Sequence, residues 1–207
     1  MWQLNHKYTF TAFDILEPDY FVQLAYQATD RMAVIMKETN FDYSNYFGLQ
    51  ASAQFHIGKW LNGNVTTTAL YRHDKSSSFF DLLIDRTCLS GIFGGMVVIK
   101  PFPRHNIQLT LNPFFQSKAI QEIYDIDPMF HLNGTLRYTT PNGKWSFVAK
   151  GENILNKHFS IRSCLGNQNY NMRVWMPYTY YSLTANYRIG NFKEKRKKEV
   201  NTSRMGY

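Results

Sequence analysis

Long apolar runs are the first thing this chain lacks. No stretch of about 18 uncharged apolar residues occurs in its 207 residues, so membrane-spanning helices are not expected. Cysteine is nearly absent. Cys88 and Cys164 are too few for a disulfide scaffold and have no zinc-ligand spacing, so free or partly buried thiols are expected, although an oxidising compartment would permit pairing. The six histidines, at 6, 56, 73, 105, 131 and 158, fall on separate segments with no metal-ligand pair. No nucleophile elbow and no phosphate-binding glycine loop is present; GIFGG at 91–95 lies inside an alternating run and reads as a bend or a site of close packing. These absences leave no candidate catalytic, cofactor-binding or metal residue, and a non-enzymatic role is expected. The start, MWQLNHKYTF, also lacks the basic, apolar and small-residue series of a secretion signal.

Acidic residues are the scarcer charge, giving a formal net charge of +8. Position argues against nucleic-acid binding. Residues 193–207 carry six Lys and Arg against two Glu, a net of +4 and half the excess, and no stacking aromatics interleave the run. The segment 192–207 therefore reads as a solvated basic tail after a domain spanning 1–191. Aromatics, by contrast, are abundant at 16% of residues, while the mean hydropathy is polar at −0.39. A transmembrane barrel reconciles the two, because only every second residue of a strand meets lipid.

Period-two alternation dominates what is there. Phe130, Leu132, Gly134, Leu136 and Tyr138 oppose His131, Asn133, Thr135, Arg137 and Thr139. Tyr181, Leu183, Ala185, Tyr187 and Ile189 oppose Ser182, Thr184, Asn186 and Arg188, and the same design recurs at 49–57 and 106–112. One face is apolar and the other is wet. About ten strands are expected, near 3–13, 18–28, 31–39, 43–57, 63–73, 79–100, 105–116, 128–140, 144–153 and 175–190. Short connections fall at Thr29-Asp30, Gly58 to Gly63, Pro101 to Asn106 and Pro141-Asn142-Gly143. Long ones, Thr39 to Asn45, His73 to Phe79, Ser117 to Pro128 and Glu152 to Val174, alternate with them. In outer-membrane barrels short turns face the periplasm and long loops face outward, which puts both termini on the periplasmic side.

Aromatics gather near the expected strand ends, at Tyr43, Tyr46 and Phe47, Trp60, Phe79 and Phe80, Phe114 and Phe115, Trp145, and from Trp175 to Tyr181. A ring with a polar tip suits the boundary between acyl chains and headgroups. Glu122, Asp125 and Asp127 beside Tyr124 form an acidic group in an outward loop; they lack the spaced ligands and glycine of a calcium loop and read as structural.

The last third carries a family resemblance. PNGKWSFVAKGENILNKHFSIRSCLGNQNYNMRVW at 141–175 and YYSLTANYRIGNFKEKRKKEVNTSRMG at 180–206 resemble the C-terminal end of the outer-membrane β-barrel family related to TonB-dependent receptors. LEPDYFVQLAYQ at 16–27 and FQSKAIQEIYDIDPMF at 115–130 are similar to its barrel strands and outer loops. The resemblance implies a parent with a signal peptide, a plug and a barrel of about 22 strands, of which these are the closing ten or so. It also implies outer-membrane lipid and the barrel-assembly machinery as partners, and TonB only through a plug that is missing here; Tyr181 to Ile189 resembles the signal that machinery reads, a pattern ordinary strand amphipathicity also produces. The family usually has an acidic residue where this tail reads Val200 to Arg204. Two other classes fit the alternation itself: a small self-contained outer-membrane barrel with a structural or adhesive role, and a soluble lipocalin-like barrel with its apolar face inward.

Overall fold

The computed structural model describes residues 4–28, 30–79, 82–102, 105–155, 158–165, 168–175 and 179–190. Twelve strands and no helix occur among them. Eight strands build one antiparallel sheet in chain order: β1 (Leu4–Gln27), β2 (Val34–Ile57), β3 (Leu61–Phe79), β4 (Leu82–Ile99), β5 (Ile107–Gln116), β8 (Met129–Thr139), β9 (Trp145–Glu152) and β12 (Tyr180–Tyr187). The other four, β6 (Ala119–Gln121), β7 (Tyr124–Ile126), β10 (His158–Leu165) and β11 (Gln168–Trp175), form a second sheet in the order β11-β10-β7-β6. Both hairpins of that second sheet come from the two long connections, 117–128 and 153–179.

The alternation holds across the membrane-spanning part of the wall. Antiparallel partners share a face, and the register links Phe10 to Ala51, Leu49 to Ala69, Phe93 to Phe115, Leu109 to Leu136, Leu136 to Ala149, and Ala149 to Leu183. These residues lie on one continuous apolar face, and its large side chains are exposed: Phe10, Leu49, Leu136 and Leu183 all face the surroundings. The opposite face is a lattice of hydroxyls and amides. Gln50 Nε2 donates to Thr68 Oγ1 at 3.2 Å, Ser52 and Thr66 hydroxyls meet at 3.0 Å, and Gln108 Nε2 donates to Thr110 Oγ1 at 3.3 Å.

Aromatics border the apolar face. At the end of the short turns, Trp145 stacks on Phe147 at 5.8 Å between centroids and tilts against Tyr187 at 4.6 Å, and Tyr138 stacks on Phe147 at 6.4 Å. At the other end Phe47 pairs with Tyr71, and Phe115 links Phe93 to Phe130. Tyr138 and Phe130 are eight residues apart on β8, about 26 Å of strand at 3.3 Å per residue. At the usual tilt of about 35–45° that length spans about 20 Å of bilayer, most of the roughly 25 Å apolar band of outer-membrane barrels.

Eight wall strands replace the ten expected, because the first four predicted segments are two. β1 and β2 each run for 24 residues without a break. Thr39 to Asn45 and His73 to Phe79, expected as long loops, lie inside β2 and β3. The apparent break has a physical origin: Phe41 and Ser44 are both fully buried although three residues apart, so the inward phase of β2 must switch between them. The switch sits where Asp19, with φ of 50°, and Asp42 drop out of the β1–β2 pairing. Alternation fails there, yet the strand continues. The connection between β1 and β2, expected at Thr29-Asp30 on the periplasmic side, instead lies at the far end of the wall. The turns at 58–60, 100–106 and 140–144 do share one end with Leu4 and Tyr187.

Strands of 24 residues reach about 80 Å, whereas a tilted strand of roughly 9–11 residues already crosses a bilayer. The upper halves of β1 to β4 therefore stand outside the membrane. β5, β8, β9 and β12, at 10, 11, 8 and 8 residues, do not.

Near the short-turn end the backbones of β3 and β4 approach closely, and glycine makes this possible. A Cβ on Gly95 would stand 2.5 Å from the Asn64 carbonyl oxygen, and one on Gly63 would stand 2.4 Å from that of Met96. Gly95→Val is expected to cost about 1–3 kcal/mol through overpacking, read as a lower urea midpoint for the membrane-inserted protein.

Candidate functional site

The only cluster of fully buried hydrophobic residues among those described is not in the membrane span. It lies where the β6–β7 hairpin docks on the projecting part of the wall. Ile123, at the hairpin tip and 1% exposed, packs among Val22 and Leu24 of β1, Phe41 of β2 and Ile84 of β4, with Tyr20 and Tyr124 at the margin. The docked surface is the polar face: Ser90, which follows the even-numbered inward series of β4, donates from Oγ to the Lys118 carbonyl at 3.0 Å. The hairpin thus covers the lumen side. Deleting the buried branch with Ile123→Ala should cost about 2–5 kcal/mol and raise hydrogen exchange across residues 119–127.

Beside Ile123 sits a buried polar network centred on Asp74. Its carboxylate accepts from Ser44 Oγ at 2.5 Å, from Arg72 Nε at 2.8 and 2.9 Å, and from the Glu122 backbone N–H at 2.9 Å. Those contacts leave no charge uncompensated at a fully buried residue. Glu122 completes the arrangement: Oε1 accepts from Arg72 Nη2 at 3.2 Å and from the Tyr20 hydroxyl at 3.3 Å, while its carbonyl accepts from Arg86 Nη1 at 3.2 Å. Arg72 also lies over the Tyr46 ring at 4.8 Å.

Glu122 is in an unusual backbone state. It is the first of two residues joining β6 to β7 and has φ of 49°, a position where hairpin turns favour glycine or asparagine. A glutamate in the left-handed region costs on the order of 1–2 kcal/mol, so the contacts of its side chain and backbone hold it there. Burial lifts the Glu122 carboxyl above the ordinary carboxylate range; Arg72 pulls it down and Asp74 pushes it up again. Burial, reinforced by the charge of Glu122, pushes the Tyr20 phenol up to about 12.

Further pairs extend the clasp. Arg86 Nη2 meets Asp125 Oδ1 at 2.5 Å, Lys118 approaches the same oxygen at 3.9 Å, and Arg162 of β10 pairs with Asp127. β10 joins β7 through Ile161 to Ile126, Arg162 to Asp125 and Ser163 to Tyr124, which ties the second outer loop to the first. A cavity of about 160 Å³ remains beneath the hairpin, between Tyr46, Leu70 and Arg72 of the wall and Ile120, Gln121 and Ile126 above.

The acidic loop group is thereby placed, with Glu122, Asp125 and Asp127 each engaged by an arginine. Arg72, Arg86 and Asp74 were not singled out by the sequence; they lie on two wall strands, some 36 to 50 positions from the loop residues they hold. Cys88 is a free, half-buried thiol on β4, opposite Arg72 in the register, 3.7 Å from the Lys118 carbonyl. The Cys164 side chain lies outside the described residues, as do Phe80 and the tail from 192 onward. His131 faces the lumen side and stacks on Phe114 at 4.7 Å. His73 lies above the span, its Nε2 2.8 Å from Asp85 Oδ1. Gly91 of the GIFGG run donates its N–H to Ser117 Oγ at 2.7 Å, and Gly95 makes the close approach to Asn64.

An exposed apolar band edged with aromatics, a polar face roofed by the chain's own long loops, and short turns gathered at the opposite end together define the wall of a transmembrane β-barrel. The chain belongs to the Outer membrane protein beta-barrel family, whose family model matches residues 1–193, and its place is the outer membrane. No curated protein and no solved structure matches it. The family gives the surroundings of the two faces: lipid for Phe10, Leu136 and Leu183, and a polar interior for the Ser, Thr and Gln lattice.

Proposed function

We propose that this chain forms the C-terminal wall of a TonB-dependent-receptor-like transporter, an arc of a barrel of about 22 strands that separates lipid from a polar lumen. One observation carries the reading: among the described strands the eight-stranded sheet is open, with β1 and β12 as edges that do not pair with each other. Backbone N–H and C=O groups in a bilayer must be satisfied within protein, so an open arc needs further strands on both sides. The resemblance at 141–175 and 180–206 supplies the same reading independently. In it the chain itself is a wall and not an enzyme; β12 addresses the barrel-assembly machinery, and TonB acts only through a plug elsewhere in the parent.

A second reading has its own support. Leu4 and Tyr187 lie at the same end of the wall, so β1 and β12 run antiparallel and could close a small barrel whose lumen is filled by side chains, with the loops in a structural or adhesive role. The outward apolar face speaks against a lipocalin-like interior. An immunoblot of outer membranes with an antibody against residues 115–130 separates the two remaining readings. A band several times heavier than 24.3 kDa is expected; a mature band near 24.3 kDa would sink the transporter-wall reading and leave the small barrel.

A further inference from the structure

We propose that the β6–β7 hairpin is a proton-stabilised latch: Glu122 is the group whose protonation holds the outer loop sheet down on the lumen face, and whose ionisation lets that sheet lift. The inference concerns the outer end of the wall and does not depend on how many strands complete the barrel.

Geometry carries it. The hairpin touches the wall with Ile123 as an apolar anchor and Glu122 as a polar one, and among the described residues it is linked to the rest of its sheet by a three-residue ladder to β10, the Asp127 N–H on the Ser160 carbonyl and the Arg162–Asp127 pair. A wall strand cannot leave without breaking a long ladder; this hairpin has no ladder to the wall among the described strands. Its tip is held by the buried Ile123, by the charges around Glu122 and by the Ala25 N–H on the Tyr124 hydroxyl at 3.4 Å, while its base is tied to β4 by the Ser117 N–H on the Gly91 carbonyl at 2.8 Å and by Ser90 Oγ on the Lys118 carbonyl at 3.0 Å.

Charges from every packed element face Glu122. Tyr20 comes from β1, Tyr46 from β2, Arg72 and Asp74 from β3, and Arg86 from β4; Tyr124, Asp125 and Lys118 belong to the hairpin side. Arg86 is engaged by Asp125 and by the Glu122 carbonyl, which leaves Arg72 as the cation at the Glu122 carboxylate. Arg72 is shared: its Nε already serves Asp74 at 2.8 and 2.9 Å, and only Nη2 reaches Glu122. Two buried carboxylates thus divide one guanidinium, and Asp74, held also by Ser44 and a backbone N–H, has the better claim to the charge. Glu122 is the member that gains from a proton. A protonated Glu122 keeps an acceptor for Tyr20 and Arg72 and relieves the repulsion with Asp74.

The sign of the pH dependence follows. Docking raises the Glu122 pKa above its solvent-exposed value, so the proton-linked stabilisation is fully present below the ordinary carboxylate pKa and is lost as pH rises through the raised one. Each unit between the docked and undocked values changes the docking equilibrium about tenfold.

The test uses the complete protein in lipid nanodiscs, with Cys88 and Cys164 replaced by serine and nitroxides at Gln121 and Thr87, both exposed. Spin–spin distances are recorded from pH 5 to pH 9. A single short distance is expected at pH 5, with a longer population growing as pH rises, and Glu122→Gln should hold the short distance across the whole range. A wild-type distribution that is unchanged between pH 5 and pH 9 would overturn the latch, and so would an E122Q protein that follows the wild-type pH dependence.

Discussion

Asp74→Ala is expected to detach the outer loop sheet and destabilise the projecting part of the wall by about 3–5 kcal/mol, the usual cost of removing one partner from a buried ion pair. The substitution deprives Arg72, Ser44 and the Glu122 N–H of their common acceptor in a site where Asp74 and Ser44 are fully buried. Arg72 would then have only Glu122 for its charge. Asp74→Asn removes the charge but keeps one acceptor oxygen, enough for either Ser44 Oγ, bound at Oδ1, or the Glu122 N–H, bound at Oδ2, and its effect should be smaller. Urea unfolding of the inserted protein, with hydrogen exchange at 119–127 as the local readout, separates loss of docking from loss of the wall. The span below should keep its protection, because its ladders do not involve Asp74.

Leu183→Arg should cost about 2–4 kcal/mol in a bilayer, while Thr184→Arg, one residue further along the same strand, should stay within roughly 0.5 kcal/mol. Both positions are exposed, Leu183 at 79%, so burial cannot distinguish them. What differs is the medium. Leu183 shares a face with Ala149 and Leu136 and meets hydrocarbon, whereas Thr184 shares the lumen face with Val148 and Arg137, where water and polar partners accept a guanidinium. A soluble barrel with its apolar face inward would show the large cost at Leu183 as a core defect. The bilayer account adds that the cost depends on lipid thickness, because the energy comes from depth.

Sequence alone reveals the membrane-spanning half of this protein well, because period-two alternation is written wherever one face meets lipid and the other meets water. The segments at 49–57 and 130–139 lie in strands of the wall, as do 106–112 and 181–189 except for Asn106, which sits in a turn, and residues 188 and 189, which follow β12. Legibility ends where lipid ends. Above the span neither face of β1 to β4 has to be apolar, so His73 to Phe79 reads as a loop although it is strand; the switch at Asp19 and Asp42 breaks the alternation at Thr39 to Asn45 in the same way. Reading Thr39 to Asn45 as a loop, together with the break placed between residues 13 and 18, adds two strands and puts the first turn on the wrong side, whereas reading His73 to Phe79 as a loop only shortens β3.

The candidate site was legible only in part. The acidic group at 122, 125 and 127 stands out as charge in a long loop, but nothing local says what it binds. Its partners Arg72 and Arg86 sit on β3 and β4, and only the fold brings them to the hairpin. Hairpin β10–β11 carried a fainter signal, since Phe159, Ile161 and Ser163 alternate with Ser160 and Arg162. Its length reads as a loop, and in this fold the two long outer connections build a sheet of their own.

The central claim is that one face of the wall meets lipid and the other a polar lumen. A cysteine scan of residues 130 to 139 in the complete protein, with Cys88 and Cys164 replaced by serine, tests it most directly. With a small water-soluble maleimide and a lipid-borne quencher, positions 131, 133, 135, 137 and 139 should react with the maleimide, and positions 130, 132, 134, 136 and 138 should be shielded from it and reached by the quencher. Uniform labelling along the strand, or the same period in the opposite phase, would contradict the account.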